Sequence, residues 1–337
     1  MCLYPRLIRN KKFEPNKKNG GIIPPIIDDR TLHVPIKCGK CMECMNSKRG
    51  EWAVRLMEDI KVNTNGKFVT FTFSNDEYKK LSEEIKLEGY ERDNKIATLG
   101  MRRFLERWRK EFKKSVRHFM VTELGHNGTE NIHLHGIIWT NEMPDTIRRI
   151  WKYGYIYPRY NTWEGNFVSE KSINYITKYI TKIDEIHKTY KSIILTSAGI
   201  GNNYINTYNA SRNKYNDDKT KEIYISREGY KRNLPIYWRN KIYSEEEREK
   251  LWIIKLDQNI RYVGGQKIDI SKGMEEYFNA LKWYRKMNIE KGFGNDKVDW
   301  ELKKYEEQLR NLKHSERIAK ERMKKERMAK AIAYAGG

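Results

Sequence analysis

Two short stretches of this chain carry residue types that can do phosphate chemistry. One is Asn131-Ile-His133-Leu-His135-Gly136, and the other is Tyr175-Ile-Thr-Lys178-Tyr179-Ile-Thr-Lys182. On a strand, residues two apart point to one face, so His133 and His135 project together while Leu134, Gly136 and Ile138 face the other way. Two neutral imidazoles on one face can ligate a divalent cation when a third ligand stands near. On a helix, residues four apart stack, which puts the Tyr175 and Tyr179 hydroxyls on one face with Lys178 and Lys182 beside them. A tyrosine hydroxyl, of ordinary pKa about 10, is a weak nucleophile at neutral pH until a cation stabilises its phenolate. The lysines can supply that charge and can also bind a phosphate. Each motif also has a plainer explanation. A His-x-His strand is often a hydrogen-bonded surface pair, and a Tyr-x-x-x-Tyr pair often only borders an apolar stripe.

The elements that must position these groups are legible from periodicity. Residues 67–73 read as a strand, Val69, Phe71 and Phe73 alternating with Thr70 and Thr72. Residues 117–125 and 132–140 read as the two arms of a hairpin turning at Asn127-Gly128. Counting back from that turn sets Glu123 opposite His133, which makes Glu123 the candidate third ligand; a slip of one residue would turn it away. Helices are predicted over 48–62 (Trp52, Leu56 and Ile60 inward), 96–115 (Leu105, Trp108 and Phe112 inward), 144–152 and 169–183. The last buries Ile173, Ile176, Ile180 and Ile183. A strand is predicted over 153–160. This order predicts an α+β fold, an antiparallel sheet with helices on one face.

Four regions follow: a cysteine-containing segment and helix over 1–62, the core over 63–185, a loop-rich and helical region over 186–258, and a basic helical extension over 259–337. In the third, Ser244-Glu-Glu-Glu247 reads as a capping box opening a helix that runs to about Asp257. In the fourth, a long helix is predicted from Asp296, with Val298, Leu302, Tyr305, Leu309 and Leu312 on one stripe. There are no internal repeats.

Lys and Arg number 67 against 45 Asp and Glu, a net charge of +22. That excess favours a polyanionic partner, and 22 Tyr with 9 Trp supply flat faces for unpaired bases. A merely solvated basic surface is the plainer alternative. No apolar run reaches membrane-span length, residues 21–27 are broken by Pro24 and Pro25, and the amino terminus lacks a signal-peptide core. The expectation is a soluble protein with no membrane partner. Cys2, Cys38, Cys41 and Cys44 do not make a disulfide framework for a chain of this size. They are compact enough for a structural Zn²⁺ that would staple the amino terminus to the core. Free reduced thiols and an iron–sulfur cluster are the alternatives.

Taken together, the His-hydrophobe-His strand and the Tyr-x-x-x-Tyr-x-x-Lys helix resemble the HUH endonucleases with two tyrosines, which initiate rolling-circle DNA replication. More closely, the chain is similar to the replication initiators of microviruses, single-stranded-DNA bacteriophages of the gokushovirus-like kind. The matching stretches are Met1-Cys-Leu-Tyr-Pro5, Cys38-Gly-Lys-Cys-Met-Glu-Cys44, Lys48-Arg-Gly-Glu-Trp52, Phe71-Thr-Phe73, Thr122-Glu-Leu-Gly125, His133-Leu-His-Gly136, Trp151-Lys-Tyr-Gly154 and the Tyr175–Lys182 segment. Thr196-Ser-Ala-Gly-Ile-Gly201 and Gly229-Tyr-Lys-Arg-Asn-Leu-Pro-Ile-Tyr237 match further on. The resemblance covers about residues 1–245, and the two central motifs do not depart from the pattern. It implies an HUH nuclease core, with Tyr175 and Tyr179 as alternating nucleophiles. His133 and His135, with Glu123, would hold Mg²⁺ or Mn²⁺. Implied partners are single-stranded and origin DNA, a host polymerase and, since no Gly-x-x-x-x-Gly-Lys-Ser/Thr loop is present, a separate host helicase. The implied location is the cytoplasm of a bacterial host.

Two rivals remain. One is a relaxase or transposase of the same superfamily, which the second tyrosine disfavours. The other is a basic protein that coats single-stranded nucleic acid without catalysis.

Overall fold

The computed structural model describes residues 2–125, 130–184, 190–294, 319–320, 322–330 and 332. The chain divides into two compact units. One comprises Met1–Cys44, Tyr215–Thr220 and Tyr243–Gly337, and the other Met45–Lys214 and Lys221–Ile242. In order, the elements are β1 (Arg6–Arg9), β2 (His33–Ile36), α1 (Met42–Asp59), β3 (Gly66–Phe71), α2 (Asn75–Glu83), α3 (Gly89–Phe112), β4 (Arg117–Leu124) and β5 (Ile132–Trp139). Then come α4 (Pro144–Trp151), β6 (Ile156–Tyr157), α5 (Glu170–Thr181), β7 (Ile194–Thr196), α6 (Tyr208–Ser211), β8 (Ile223–Ile225), β9 (Lys231–Asn233) and α7 (Ile236–Ile242). The last are α8 (Glu245–Asp257), β10 (Ile260–Val263), β11 (Gln266–Asp269) and α9 (Glu275–Glu290).

The second unit is built on a five-stranded antiparallel sheet of order β6-β3-β5-β4-β7. The α+β class with an antiparallel sheet is therefore as expected. The helices, however, cover both faces rather than one. Strand parity separates two apolar cores. Val69, Phe71, Met120, Leu134 and Ile138 pack with Ile96, Phe104 and Trp108 of α3 and Ile147 and Trp151 of α4. Phe119, Val121, Ile137 and Trp139 point the other way, to Leu56 of α1 and to Ile173, Ile176 and Ile180 of α5. These central strands carry apolar residues at both parities, so neither face can be left to water. The three isoleucines contribute about 1.5–3 kcal/mol each on full burial, which fixes α5 to the sheet.

The strand expected over 153–160 shrinks to Ile156–Tyr157. Pro158 offers no N–H to continue a ladder. The Arg148 guanidinium also takes the carbonyls of Pro158, Arg159 and Tyr160 for itself. The expected helix over 169–183 is seen as α5, opened by a Ser169–Ser172 capping box. The Asn127-Gly128 turn and His126 lie outside the described residues.

In the first unit, β1 pairs with β2 and β10 with β11, both antiparallel. The second hairpin turns at Gly264-Gly265, both with positive φ (57° and 84°). A Cβ on Gly264 would fall 1.7 Å from the Tyr284 ring, so only glycine fits there. The predicted box at Ser244 and Glu247 opens α8, which ends at Asp257 as expected. The stripe from Val298 to Leu312 lies outside the described residues; residues 319–320, 322–330 and 332 are helical. Among the described residues, no helix is long and apolar enough to cross a membrane.

Candidate active site

The β4–β5 register sets Glu123 opposite His133, the pairing counted from the sequence. His135 is opposite Val121 on one side and Thr70 of β3 on the other. Its two ring nitrogens are both engaged. Nε2 lies 3.0 Å from Glu123 Oε2, and Nδ1 lies 3.0 Å from the Thr70 hydroxyl. The other oxygen of Glu123 pairs with the Lys182 ammonium. The His133 ring is tilted to that of His135 with centroids 6.3 Å apart.

On α5, Tyr175 and Tyr179 stand one turn apart beside the buried isoleucines, and Lys182 follows as the residue that caps the helix. The Tyr179 ring stacks on His135, 4.6 Å between centroids and 5° from parallel. Its hydroxyl donates to that of Tyr175 over 2.6 Å. Tyr175 is half exposed, and Lys178 points to solvent. The structure therefore gathers Glu123, His135, Tyr175, Tyr179 and Lys182 around one point, with His133 flanking it; Lys178 is not brought into contact with them.

Charge states follow from this packing. Burial pushes the His133 imidazole below its ordinary value, with the neighbouring His135 adding to the shift and Glu123 opposing it. His133 is thus neutral at pH 7, with a lone pair to offer. Burial would raise the Glu123 carboxyl, but hydrogen bonds from His135 and Lys182 outweigh it and the net shift is downward. Burial also pushes the Tyr179 phenol up, reinforced by its bond to Tyr175 and by the Glu123 charge. Tyr179 therefore holds its proton until positive charge arrives.

Three features escaped the sequence reading. Thr70 holds the far nitrogen of His135. Asp184, buried, lines a shallow cleft with Tyr179, Lys182 and Glu123. Gly125 makes room for His133: a Cβ there would fall 2.7 Å from the ring's Cε1. The nearest obstacle is the His133 ring and the next is the Asn131 carbonyl at 3.2 Å, so Gly125→Ala is expected to turn His133 aside at a small cost in thermal stability. Mn²⁺ affinity, measured by calorimetry, is expected to fall about tenfold. Unchanged affinity would remove His133 from the ligand set.

The cysteines form a second candidate site, in the first unit. All four Sγ atoms lie within 4.8 Å of one another, the one such group of metal-ligating side chains among the described residues. Cys2 and Cys41 are 4.0 Å apart, and Cys38 and Cys44 are 3.9 Å apart. These are free thiols, not disulfides. A tetrahedron with Zn–S bonds of about 2.3 Å has edges of about 3.8 Å. Backbone N–H groups of Leu3, Tyr4, Cys38 and Cys41 point at the sulfurs. Hydrogen bonds with Cys2 pull the Cys38 and Cys41 thiols down, Cys41 to about 7. Around them pack Val263, Ile268, Tyr277 and Leu281. The cluster thus joins the amino terminus to the β10–β11 hairpin and α9, a different staple from the one expected.

A carboxylate and two imidazoles thus share one sheet face, with paired tyrosines on a helix across it. Residues 66–184 match the family model described as Replication-associated protein ORF2. The match runs from the start of β3 to just beyond α5 and contains every residue of the site. It supports a role in initiating replication. No curated protein and no solved structure matches the chain.

Proposed function

We propose that this chain is a rolling-circle replication initiator of the two-tyrosine kind, cutting and rejoining one DNA strand at an origin. The observation that carries the reading is the Tyr179 ring on His135 with the Tyr175 hydroxyl 2.6 Å from its own. Nothing in a core requires two phenols to meet over a histidine–carboxylate pair.

The donor types suit a divalent cation, Glu123 being ionised and His133 neutral on the face they share with His135, but among the described residues only the cysteine sulfurs are already gathered as a ligand set, so the Glu123–His135 contact would open on binding. These three residues would hold Mg²⁺ or Mn²⁺, which when bound supplies positive charge to a phosphate oxygen. The chain's own residues do the rest. Thr70 and Glu123 fix the His135 ring, and that ring positions Tyr179. Lys182, 5.7 Å from the Tyr179 ring centroid, offers charge to a phenolate or a phosphate. The attacking tyrosine forms an Oη–P bond as the P–O3′ bond breaks. It gives up its proton and the 3′-oxygen takes one up, so no oxidant or energy source is needed. Two hydroxyls 2.6 Å apart cannot both ionise cheaply, but each can donate to the other's phenolate. That favours alternating use: one tyrosine carries the 5′-phosphate while the other cuts the regenerated junction.

The same reading makes single-stranded and origin DNA the partners, with a host polymerase extending the free 3′-hydroxyl and a host helicase unwinding, in a bacterial cytoplasm during microvirus-like replication. Cys2, Cys38, Cys41 and Cys44 would hold a structural Zn²⁺. The test is incubation with a labelled origin strand and Mn²⁺. A denaturation-resistant protein–DNA adduct, lost on chelation, is expected. Salt-sensitive binding without adduct under any divalent metal would favour the coating protein instead.

A further inference from the structure

The reactive tyrosines end a longer run of rings along the same sheet face. Tyr157 of the edge strand β6 pairs with Thr70, whose side chain reaches His135, so Tyr157 stands on the site's side. Phe68, two residues before Thr70, lies between two tyrosines. Its centroid is 6.5 Å from that of Tyr157 and 5.9 Å from that of Tyr175, edge-on to both. From Tyr175 the run continues to Tyr179 and His135, at 5.3 and 4.6 Å.

Core packing does not account for the outer rings, since Tyr157 is 47% and Tyr175 51% exposed. Nor is Tyr157 on a loose end. Directly after it, the Arg148 guanidinium donates to the carbonyls of Pro158, Arg159 and Tyr160 at 2.7–2.8 Å. Rigid, half-exposed rings are what base stacking uses, because little ordering is needed on binding. Lys182 stands where the run meets the site, and the chain's +22 charge complements a phosphate backbone.

We propose that Tyr157 is the outer step of a stacking platform for unpaired DNA bases, leading from the site to the β6 edge. This rests on the reading of the site as one that handles a single strand. A duplex keeps its bases stacked inside, so the platform selects single strands. Binding of a fluorescein-labelled 20-nucleotide oligo(dT) in EDTA, followed by anisotropy, tests it apart from cleavage. Tyr157→Ala is expected to weaken binding about tenfold without altering the salt dependence, and Tyr157→Trp to restore it. Tyr208→Ala, which removes an exposed tyrosine of α6, and a hairpin duplex probe serve as controls expected to show no such loss. Equal affinity of wild type and Tyr157→Ala, or an equal loss with Tyr208→Ala, overturns the platform alone. If the wild type does not bind the single strand at all, the proposed function falls with it.

Discussion

Changing Tyr175 and Tyr179 together to Phe is expected to abolish the covalent adduct and to lower strand cleavage by at least about 10⁴-fold, since both nucleophilic oxygens are gone. The fold should survive. Tyr175 is half exposed, and Phe at 179 keeps the ring that stacks on His135. The single changes are more informative. Each leaves one hydroxyl near the site but removes the 2.6 Å bond that would stabilise its phenolate. Each single variant should therefore still nick, about tenfold more slowly, the size of one lost hydrogen bond. Each should also fail at the second cut that releases a circle. Gel assays of nicking and of circle release on one template separate the two steps. A Tyr179→Phe protein that cuts and rejoins at the wild-type rate would contradict the alternating scheme.

The second large effect concerns the four cysteines. Elemental analysis should find one zinc per chain, and Cys41→Ser should lose it. Cys41 is fully buried, with its sulfur among three others and against the Leu3 N–H. Binding of a structural zinc to such a site is coupled to folding, so its loss should cost on the order of 5 kcal/mol or more. For a chain of this size that lowers the melting temperature by about 7 °C or more. Prolonged chelation of the wild type should reproduce the shift, and added Zn²⁺ should reverse it for the wild type alone. A chain that carries no metal and melts identically with and without chelator would show the sulfurs to be ordinary buried thiols.

How much of this was legible depends on the range of the interactions. The Glu123–His133 pairing follows from strand parity and turn position, which are local, and α5 follows from its isoleucine spacing. Thr70 could not be found this way, because it meets His135 across 65 positions of sequence. The early end of β6 had a local signal in Pro158, and only the competing donor Arg148, on the preceding helix, needed the fold to be seen. Placing helices on one face failed because apolar residues at both parities of β4 and β5 demand two covers. One miss was avoidable: Gly264-Gly265 between two short β-prone runs is a two-residue hairpin signal. The cysteine spacing left a metal site and free thiols both open, and only the fold shows that the four sulfurs converge and that the hairpin and α9 enclose them.

The most direct test of the central claim is to map the bond itself. The protein would be reacted with an origin single strand and Mn²⁺, digested with nuclease and protease, and the modified peptide sequenced by mass spectrometry. A nucleotide joined through its 5′-phosphate to Tyr175 or Tyr179 is expected, moving wholly to the remaining tyrosine in each single Phe variant. A nucleotide on any other residue, or cleavage with no protein-bound nucleotide, would contradict it.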